Sequence, residues 1–522
     1  MTIFLIVVGV IVAALLALAI YDLTQTRHAV LRNYPIIGHL RYFLEGLGPE
    51  LRQYIITAND AERPFSRDQR RWVYASAKNE NNLSGFGTDN DLEDTPGYIL
   101  ISHATWVAEA PTPTLPAPGD GPQAGVGPDY LVPAACVIGR MHDRAGAFRP
   151  NSIVNVSALS YGALGTPALE ALNMGAREAG CWQNTGEGGL TEAHAGGADI
   201  VFQIGTGYFG CRDADGNFSM AHLLETIARA PVKMLEVKLS QGAKPGHGGI
   251  LPAVKVTPEV ARHRGVMPGV DSVTPARHSA FHDVPTMIEF IERLAAQTGL
   301  PVGIKSAVGQ MDFWDDLARA MADDRSVGPD FVTIDGGEGG TGAAPFTFAD
   351  HVSLPFRTGF TRVRAAFAEY GIDRDVPFIG SARLGFPEHA LVAFALGCDM
   401  VNVGREAMLA IGCIQAQRCH TGTCPTGVAT TNPRLTRGLV PADKGPRLRN
   451  YIVTLRQELL ELAHTTGVVH PALVPPHVIE LVDERAGSRP LTELYDVALD
   501  DGRPTDRDIA EITAIMAGAP IG

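Results

Sequence analysis

Eight short runs rich in apolar and β-branched residues recur between residues 152 and 404, and longer segments separate them. Two of these segments, 166–180 and 386–397, have the apolar spacing of helices. Strands that alternate with helices in one series indicate βαβ units and a parallel sheet. An open doubly wound sheet is the alternative, but eight strands in one series favour closure into an α/β chain with a (β/α)8 TIM barrel. The runs are 152–158, 181–186, 199–205, 232–240, 301–307, 330–336, 376–382 and 399–404.

Residues 3–20 form an unbroken apolar run, IFLIVVGVIVAALLALAI. As a helix this run would reach about 27 Å, just enough to cross the hydrocarbon core of a bilayer. A cleaved signal peptide is the alternative, but no Lys or Arg precedes the run and no small-residue cleavage site follows it. Since Arg27, Arg32 and Arg41 follow the run, the positive-inside rule places the rest of the chain in the cytoplasm. We therefore predict a single-pass membrane protein whose main body is cytoplasmic.

Composition divides the chain into four segments. Residues 1–24 are the predicted transmembrane anchor, and residues 25–130 are a lead-in region that ends in a Pro/Gly-rich covering segment. Residues 131–435 form the predicted barrel, and residues 436–522 form a C-terminal helical extension. Apolar residues at helical spacing in this extension predict a helix that packs on its neighbours. These residues are Ile452, Leu455, Leu459 and Leu462.

The chain carries 43 Lys and Arg against 57 Asp and Glu, which gives a formal net charge of −14. Because this charge would repel a phosphate backbone, the composition argues against nucleic-acid binding. Glycine is frequent, with 57 residues and no collagen-like period. The excess of glycine indicates tight turns and close contact between the backbone and a ligand.

Polar and glycine-rich residues cluster where the predicted strands end. In a (β/α)8 barrel, catalytic groups lie at the carboxyl ends of the strands and in the loops that follow. Residues 337–342, GEGGTG, formally match the dinucleotide-binding pattern G-x-G-x-x-G, but prolines follow where the phosphate-binding helix should run. The bare N–H groups of this loop could instead hold a flavin or its phosphate. A glycine-rich turn without a ligand is the remaining alternative.

Three cysteines, Cys413, Cys419 and Cys424, follow one another closely, with Pro425 directly after the last. Thiolates at this spacing suit a metal centre in a reducing compartment, where disulfides are disfavoured. Zinc would normally need a fourth ligand, and His420 could supply it only with awkward geometry. Three cysteines instead fit an iron–sulfur cube that lacks one corner, a 3Fe-4S cluster.

The remaining cysteines have a simpler interpretation. Cys398, at the start of the last predicted strand, could be a fourth ligand, but a buried core thiol is the interpretation that we favour. We expect the same of Cys136, Cys181 and Cys211.

Four motifs together resemble those of the FMN-binding synthase domain of glutamate synthase. They cover roughly residues 130–435, and the chain most resembles the short, stand-alone, membrane-anchored members of that family. The resemblance implies a (β/α)8 barrel, FMN, a 3Fe-4S cluster and 2-oxoglutarate chemistry. The motifs are NTGEGG (184–189), EVKLSQGAKPGHGGILP (236–252), GGEGGTGAAP (336–345) and GCIQAQRCHTGTCPTGVAT (412–430).

The resemblance also implies roles for individual residues. Glu187 matches the active-site glutamate of the family, and we expect Glu187 and Lys238 to be catalytic. Lys244 and Arg264 fall where the family binds its substrate, and a site for two carboxylates needs two or more cations. By the same resemblance, the cluster ligands are Cys413, Cys419 and Cys424.

The expected flavin site combines a cation with residues from several loops. Lys305 matches a lysine near the pyrimidine end of the flavin, where positive charge stabilises the reduced anionic ring. Residues after the last two strands lie where such barrels bind phosphate. The expected cofactor contacts are Ser157, Ala158, Leu159, Ser160, Gln203, Lys305, Gly339, Gly340, Thr341, Gly342, Arg383, Gly385, Gly404 and Arg405.

The chain departs from the large members of the family. We expect no glutaminase domain, so ammonia would be free or would come from a separate subunit. His247 and Ile250 stand where the family usually has Glu and Gln, and Ile250 removes a polar substrate contact. A related 2-oxo acid is therefore an alternative substrate to 2-oxoglutarate.

The predicted function is a glutamate-synthase-type oxidoreductase acting on CH–NH2 donors. Electrons from a ferredoxin-like carrier or a partner reductase would pass through the cluster to FMN and then to an imine carbon. A dehydrogenase of a different amine or amino acid is one alternative. A membrane-tethered electron-transfer subunit with a vestigial site is another, against which the intact Glu187, Lys238 and Lys244 argue.

Overall fold

A computed structural model of the chain divides into two units, Met1–Arg70 and Arg71–Gly522. The first unit is helical. Its first helix is long and apolar enough to cross a membrane, with a mean hydropathy of 3.3, and a signal sequence can have the same length and composition. The Pro/Gly-rich segment predicted to end the lead-in falls largely outside the described residues. The structure describes residues 1–109, 129–485, 487–497 and 503–521.

The strands and helices of the described residues follow in chain order. The strands are β1 (Ile99–Ile101), β2 (Val154–Val156), β3 (Gln183–Asn184), β4 (Ile200–Ile204), β5 (Val232–Lys238), β6 (Ile250–Leu251), β7 (Ser272–Val273), β8 (Val302–Ser306), β9 (Val332–Asp335), β10 (Phe378–Ser381), β11 (Met400–Val403), β12 (Ile479–Val482) and β13 (Ser488–Pro490). The helices are α1 (Thr2–Thr24), α2 (Ala29–Asn33), α3 (Gly38–Leu51), α4 (Arg67–Ala77), α5 (Thr166–Ala179), α6 (Met220–Ile227), α7 (Pro258–Arg264), α8 (Val284–Thr298), α9 (Asp312–Asp323), α10 (Phe346–His351), α11 (Phe356–Glu369), α12 (Pro387–Ala395), α13 (Arg405–Ala410), α14 (Pro433–Thr436), α15 (Pro441–Thr465), α16 (Leu491–Leu494) and α17 (Asp506–Met516).

Eight parallel strands close into a barrel in the order β2-β3-β4-β5-β8-β9-β10-β11. Each of the eight runs predicted from the sequence supplies one of these strands, so the barrel is confirmed and the open doubly wound sheet is excluded. The long segment between β5 and β8 contains the antiparallel pair β6–β7. Outside the barrel, β1 pairs with β12, which also pairs with β13.

Helices pack around the barrel with their apolar faces inward. The two helices predicted from periodicity are α5 and α12, and both bury most of their apolar residues. The helix predicted in the C-terminal extension is α15, which packs on α5 and α12. Ile452, Leu455 and Leu459 of α15 are buried, as their helical spacing predicts.

The inside of the barrel has an apolar part and a polar part. Residues near the starts of the strands, among them Trp182, Met234 and Phe331, form a buried apolar cluster. Nearer the strand ends lies the buried carboxylate of Glu236, which is 1% exposed. Its oxygens accept hydrogen bonds from three side chains on three other strands. These are Asn184 Nδ2 at 2.8 Å, Gln203 Nε2 at 2.7 Å and Thr333 Oγ1 at 2.8 Å.

Replacing Glu236 with alanine should lower the free energy of unfolding by about 3–5 kcal/mol, because three buried donors lose a charged acceptor. Urea denaturation followed by circular dichroism measures the change. Glu225→Ala, at an exposed position on α6, is the matched control and should stay within about 0.5 kcal/mol of the parent. A Glu236→Ala protein as stable as this control would contradict the role given to the carboxylate.

Candidate active site

A cavity of about 190 Å³ lies at the carboxyl ends of the barrel strands. It brings together all the predicted catalytic and substrate residues, and all but one of the predicted cofactor residues. Those that line it are Glu187, Lys238, Lys244, Arg264, Ser157, Ala158, Leu159, Ser160, Gln203, Lys305, Gly339, Gly340, Thr341, Gly342, Arg383, Gly404, Arg405 and, of the three clustered cysteines, Cys419.

Gly385 is the predicted cofactor residue that does not line this cavity. Its N–H donates to Glu406 Oε1 at 3.3 Å, and its carbonyl accepts a hydrogen bond from the Tyr451 hydroxyl at 2.8 Å. A Cβ at this position would come within 2.4 Å of the Tyr451 oxygen. Gly385 therefore allows close packing between the loop after β10 and α15.

Glu187 lies on a short turn directly after β3 and faces the cavity. Two glycines make room for it, because a Cβ at Gly249 would lie 2.7 Å from Glu187 Oε1 and a Cβ at Gly205 would lie 2.7 Å from Glu187 Cβ. The Lys238 ammonium is 2.9 Å from Glu187 Oε1. Burial acts to raise the pKa of Glu187, but Lys238 and the nearby cations outweigh it, so the pKa is lowered and the carboxylate is ionised.

Two further cations face the same carboxylate. Lys244 Nζ donates to the carbonyl of Ala343 at 2.9 Å, and burial lowers the pKa of Lys244 to about 8. Arg264 Nη2 donates to the carbonyl of Tyr161 at 2.7 Å, and burial lowers the pKa of Arg264 to about 10. The Nε of Arg264 is buried without a hydrogen-bond partner among the described residues. Three cations around one carboxylate leave an excess of positive charge that suits an anionic ligand.

Lys305 approaches the cavity from β8, where its Nζ is 3.5 Å from Asp335 Oδ2. The same carboxylate oxygen accepts a hydrogen bond from the Gly242 N–H at 3.0 Å. A Cβ at Gly242 would lie 1.8 Å from the carbonyl oxygen of Gly336, so only glycine fits there. The loops after β5 and β9 are thus locked together beside Lys305.

The glycine-rich loop 337–342 does not lead into a dinucleotide-binding helix. Glu338 of this loop turns away and its Oε2 accepts a hydrogen bond from the Phe356 N–H at 2.8 Å, at the start of α11. Gly340 lies against Arg405, since a Cβ on Gly340 would be 2.7 Å from the Arg405 Cδ. The loop therefore presents glycine backbone to the cavity, and the Arg405 side chain from the segment after β11 lies against it.

The chain after β10 has an uncommon backbone. Ala382 and Arg383 have φ values of 154° and 49°, in a region that L-amino acids with side chains rarely adopt. Such conformations concentrate at ligand sites, where the surrounding structure enforces them. Both residues line the cavity.

Other cavity residues were missed by the sequence analysis. Gln241 accepts a hydrogen bond from Lys238 at 2.6 Å and donates to Thr341 at 3.1 Å, which joins two loops. Asp335 ends β9, and Asn402 lies in β11 with its Oδ1 buried and unpaired among the described residues. A sequence signal existed for Asp335 and Asn402, because polar residues at the ends of barrel strands face the catalytic end.

The three clustered cysteines lie on the loop that follows α13. Cys424 is buried, and Cys413 and Cys419 are partly exposed. Across the described ranges, no group of three or more His, Cys, Asp or Glu converges to hold a single metal ion.

The surroundings of two of these thiols shift their pKa values in opposite directions. Burial, and then the neighbouring Cys424 thiol, raise the pKa of Cys419. Burial acts to raise the pKa of Cys424, but hydrogen bonds to its sulfur, first from the Ala429 N–H, outweigh it and the pKa is lowered. The buried Lys255 ammonium donates to the carbonyl of Cys419 at 3.2 Å and also to the carbonyl of Ala163. Ala163 lines the cavity, so Lys255 links the cysteine loop to the cavity wall.

The other cysteines are buried, as predicted. Burial raises the pKa of Cys398 well above that of an ordinary thiol. The pKa values of Cys136, Cys181 and Cys211 are raised for the same reason. These four side chains therefore stay neutral thiols in the core.

Comparison with known proteins assigns the family. Residues 134–469 match the model of the conserved region in glutamate synthase, so the chain belongs to the glutamate synthase family. It is 38% identical to glutamate synthase large subunit-like protein YerD of Bacillus subtilis, over 89% of this chain and 92% of that protein. It is 34% identical to the archaeal glutamate synthase (NADPH) of Methanocaldococcus jannaschii, over 60% of this chain and 59% of that protein.

Solved structures resemble the chain more distantly. A flavocytochrome b2 variant with sulfite bound matches 85% of this chain and 87% of that one, at 13% identity and a TM-score of 0.43. Likeness at this level carries no inference about function.

Removing the Lys238 cation should raise the pKa of Glu187, because burial would then be opposed by fewer positive charges. The measurement is a pH titration of carboxylate bands by infrared difference spectroscopy in Lys238→Met. The matched control is Lys233→Met, an exposed lysine on the same strand, which should titrate as the parent does. An unchanged Glu187 titration in Lys238→Met would rule out this electrostatic control.

Proposed function

We propose that the barrel is an FMN- and iron–sulfur-dependent oxidoreductase that converts 2-oxoglutarate, or a related 2-oxo acid, to the amino acid. The observation that carries the proposal is the group of Lys238, Lys244 and Arg264 around Glu187, in one cavity of a glutamate synthase family barrel. This arrangement offers cations for carboxylates and an ionised acid–base group next to them.

The cavity has features that fit FMN. The glycine-rich backbone at 339–342 leaves space for the cofactor and offers N–H groups to it. The Lys305 ammonium suits the pyrimidine end of a flavin. Arg383 and Arg405 would hold the phosphate, and Ser157–Ser160 with Gln203 would border the ring. Asn402 Oδ1 is buried and has no hydrogen-bond partner among the described residues. It would be a further hydrogen-bond acceptor for the cofactor.

The cysteine loop has donors that fit a 3Fe-4S cluster. Cys413, Cys419 and Cys424 would each bind one iron, and the N–H groups around Cys424 would stabilise its thiolate. When bound, FMN supplies two-electron chemistry and the cluster supplies one-electron transfer.

The residues of the cavity would bind the substrate and handle the proton that the reaction needs. Lys244 and Arg264 would bind the carboxylates of the oxo acid, and ammonia would condense with its carbonyl to an imine and release water. Two electrons and two protons then convert the imine to the amine, and Glu187 would hold or pass on a proton at its Oε atoms. Lys238 keeps Glu187 ionised and in place.

A different 2-oxo acid is the second candidate substrate. Ile250 lines the cavity and offers an apolar side chain beside the cations. An apolar contact at this point favours a substrate whose tail is less polar than that of 2-oxoglutarate.

The remaining parts of the proposal concern partners and location. Electrons would come from a ferredoxin-like carrier or a reductase, and ammonia would be free or delivered by a separate subunit. We propose that α1 is a single-pass anchor with the barrel in the cytoplasm, on the basis of its apolar length and the basic residues that follow it.

Reoxidation of the reduced protein tests the reaction. Protein reduced under argon should regain its oxidised flavin absorbance when an oxo acid and ammonium are added together, and the amino acid should be recovered in equal amount. Assaying 2-oxoglutarate beside 2-oxo acids with apolar tails separates the two candidate substrates. No reoxidation by any of them would favour an electron-transfer subunit.

Lys244→Ala should weaken oxo-acid binding by roughly 10- to 150-fold, the loss expected for a charge-assisted hydrogen bond of about 1.5–3 kcal/mol. Because the pKa of Lys244 is about 8, wild-type affinity should fall as pH rises above about 8, and Lys244→Ala should lose this pH dependence. Titration of the oxidised flavin with 2-oxoglutarate measures both effects.

Lys305→Ala is the matched control for this substrate site. It should disturb the flavin spectrum more than the oxo-acid affinity, since Lys305, beside Asp335, is the cation that this proposal assigns to the pyrimidine end of the flavin. Equal dissociation constants for wild type and Lys244→Ala would leave the substrate site without support.

Purified protein should be yellow-brown and contain non-covalent FMN with about three irons per chain. Cys419→Ser should lose iron while the circular dichroism of the barrel is retained, because the loop lies outside the barrel strands. Cys398→Ala, which alters a buried core thiol, should keep its iron. Iron retained in Cys419→Ser would show that the ligand set is wrong.

A further inference from the structure

We propose that residues 37–56 form a second membrane element, an amphipathic segment that lies in the lipid–water interface of the bilayer crossed by α1. The inference rests on the proposed anchor and concerns only the unit Met1–Arg70. The segment comprises Ile37, the helix α3 and the wider helical turn Arg52–Ile56 that continues it.

One side of this segment is apolar and uncovered. Its large apolar residues recur at the three- and four-residue spacing that places them on one helix face. Ile37 is 75% exposed, Leu40 57%, Leu44 52% and Leu47 38%, and Ile55 in the following turn is 69% exposed. An exposed apolar surface of this kind marks an interaction site for a protein or a membrane.

A neighbouring side of the segment is charged. Arg41 and Glu45 lie one helical turn apart and form an exposed ion pair, with Arg41 Nε 2.7 Å from Glu45 Oε1. Arg52 is exposed as well. A helix with an apolar face, a polar face that carries charged residues and low net hydrophobicity is typical of segments that lie in the plane of a membrane interface.

Hydrogen bonds fix where the segment begins relative to α1. Asp22, in the last turn of α1, is fully buried. Its carboxylate accepts a hydrogen bond from the Ile36 N–H at 2.9 Å and lies 2.9 Å from His39 Nε2. Asp22 lies two residues beyond the end of the apolar run 3–20, so the start of α3 is tied to the level at which α1 leaves the hydrocarbon core.

The position of α3 at the proposed membrane surface favours lipid as the partner of its apolar face. The large apolar side chains of α1 are themselves exposed, so the apolar surface of α3 continues a surface that the proposal already places in lipid. Amphipathic helices bury their apolar faces about 5–10 Å into the boundary between headgroups and acyl chains. Tyr42 and Tyr54 are exposed and of the residue type that is enriched at this depth.

Photo-crosslinking of the full-length protein tests the inference. Benzoylphenylalanine replaces Leu44 or Leu47 on the apolar face, and the matched control places it at Glu45 on the charged face. A variant at Leu15 in α1 reports separately on the anchor. Each protein is reconstituted in vesicles of phosphatidylethanolamine and phosphatidylglycerol, illuminated, and analysed for lipid adducts by mass spectrometry.

We expect lipid adducts at positions 44, 47 and 15 and none at position 45. Adducts at 44 or 47 with residues 71–522, or with a second copy of the chain, would overturn the inference, as would absence of lipid adducts there when position 15 is labelled. Absence at position 15 would overturn the anchor itself and leave the barrel chemistry untouched.

A second measurement needs no substitution. The unaltered protein in vesicles doped with a diazirine phospholipid should carry label on the tryptic peptide 42–52, between Arg41 and Arg52. An unlabelled 42–52 peptide beside a labelled α1 peptide would contradict the proposal.

Discussion

The candidate site depends on one buried carboxylate, that of Glu236. A charge inside a barrel is costly unless donors surround it, and Glu236 is surrounded by Asn184, Gln203 and Thr333. These bonds connect β5 to β3, β4 and β9, which carry the loops around the cavity. They also hold the Gln203 amide in one orientation, with its NH2 group turned to Glu236. The floor of the cavity is therefore rigid before any ligand arrives.

Above this floor, charge is distributed unevenly. Lys238 is matched by Glu187, whereas Lys244 and Arg264 donate only to backbone carbonyls in the hydrogen bonds described above. A carbonyl neutralises no charge, and both cations share the Glu187 carboxylate with Lys238, so part of their desolvation cost stays uncompensated. A substrate with carboxylates would relieve that cost and so convert the unfavourable burial of these cations into affinity.

Sequence patterns predicted much of this structure and missed the rest for identifiable reasons. All eight barrel strands, α5, α12 and α15 follow from local periodicity, because their apolar spacing reflects burial on one face. Glu236 could not be recognised as the central acceptor, since its partners lie on strands that are distant in sequence. Gln241 lies inside the motif 236–252, yet its bridge between Lys238 and Thr341 could not be predicted because it depends on two loops meeting in space. The pairing of β1 with β12 likewise joins opposite ends of the chain.

Lys255 couples the cysteine loop to the loop that contains Ala163. Its ammonium donates to the carbonyls of Ala163, in the cavity wall, and Cys419, in the cysteine loop. Neither carbonyl can withdraw without leaving a buried charge short of an acceptor. Oxidative damage that unravels the cysteine loop would thus be transmitted to the cavity wall. Any change that displaces one of these two loops therefore also disturbs the other.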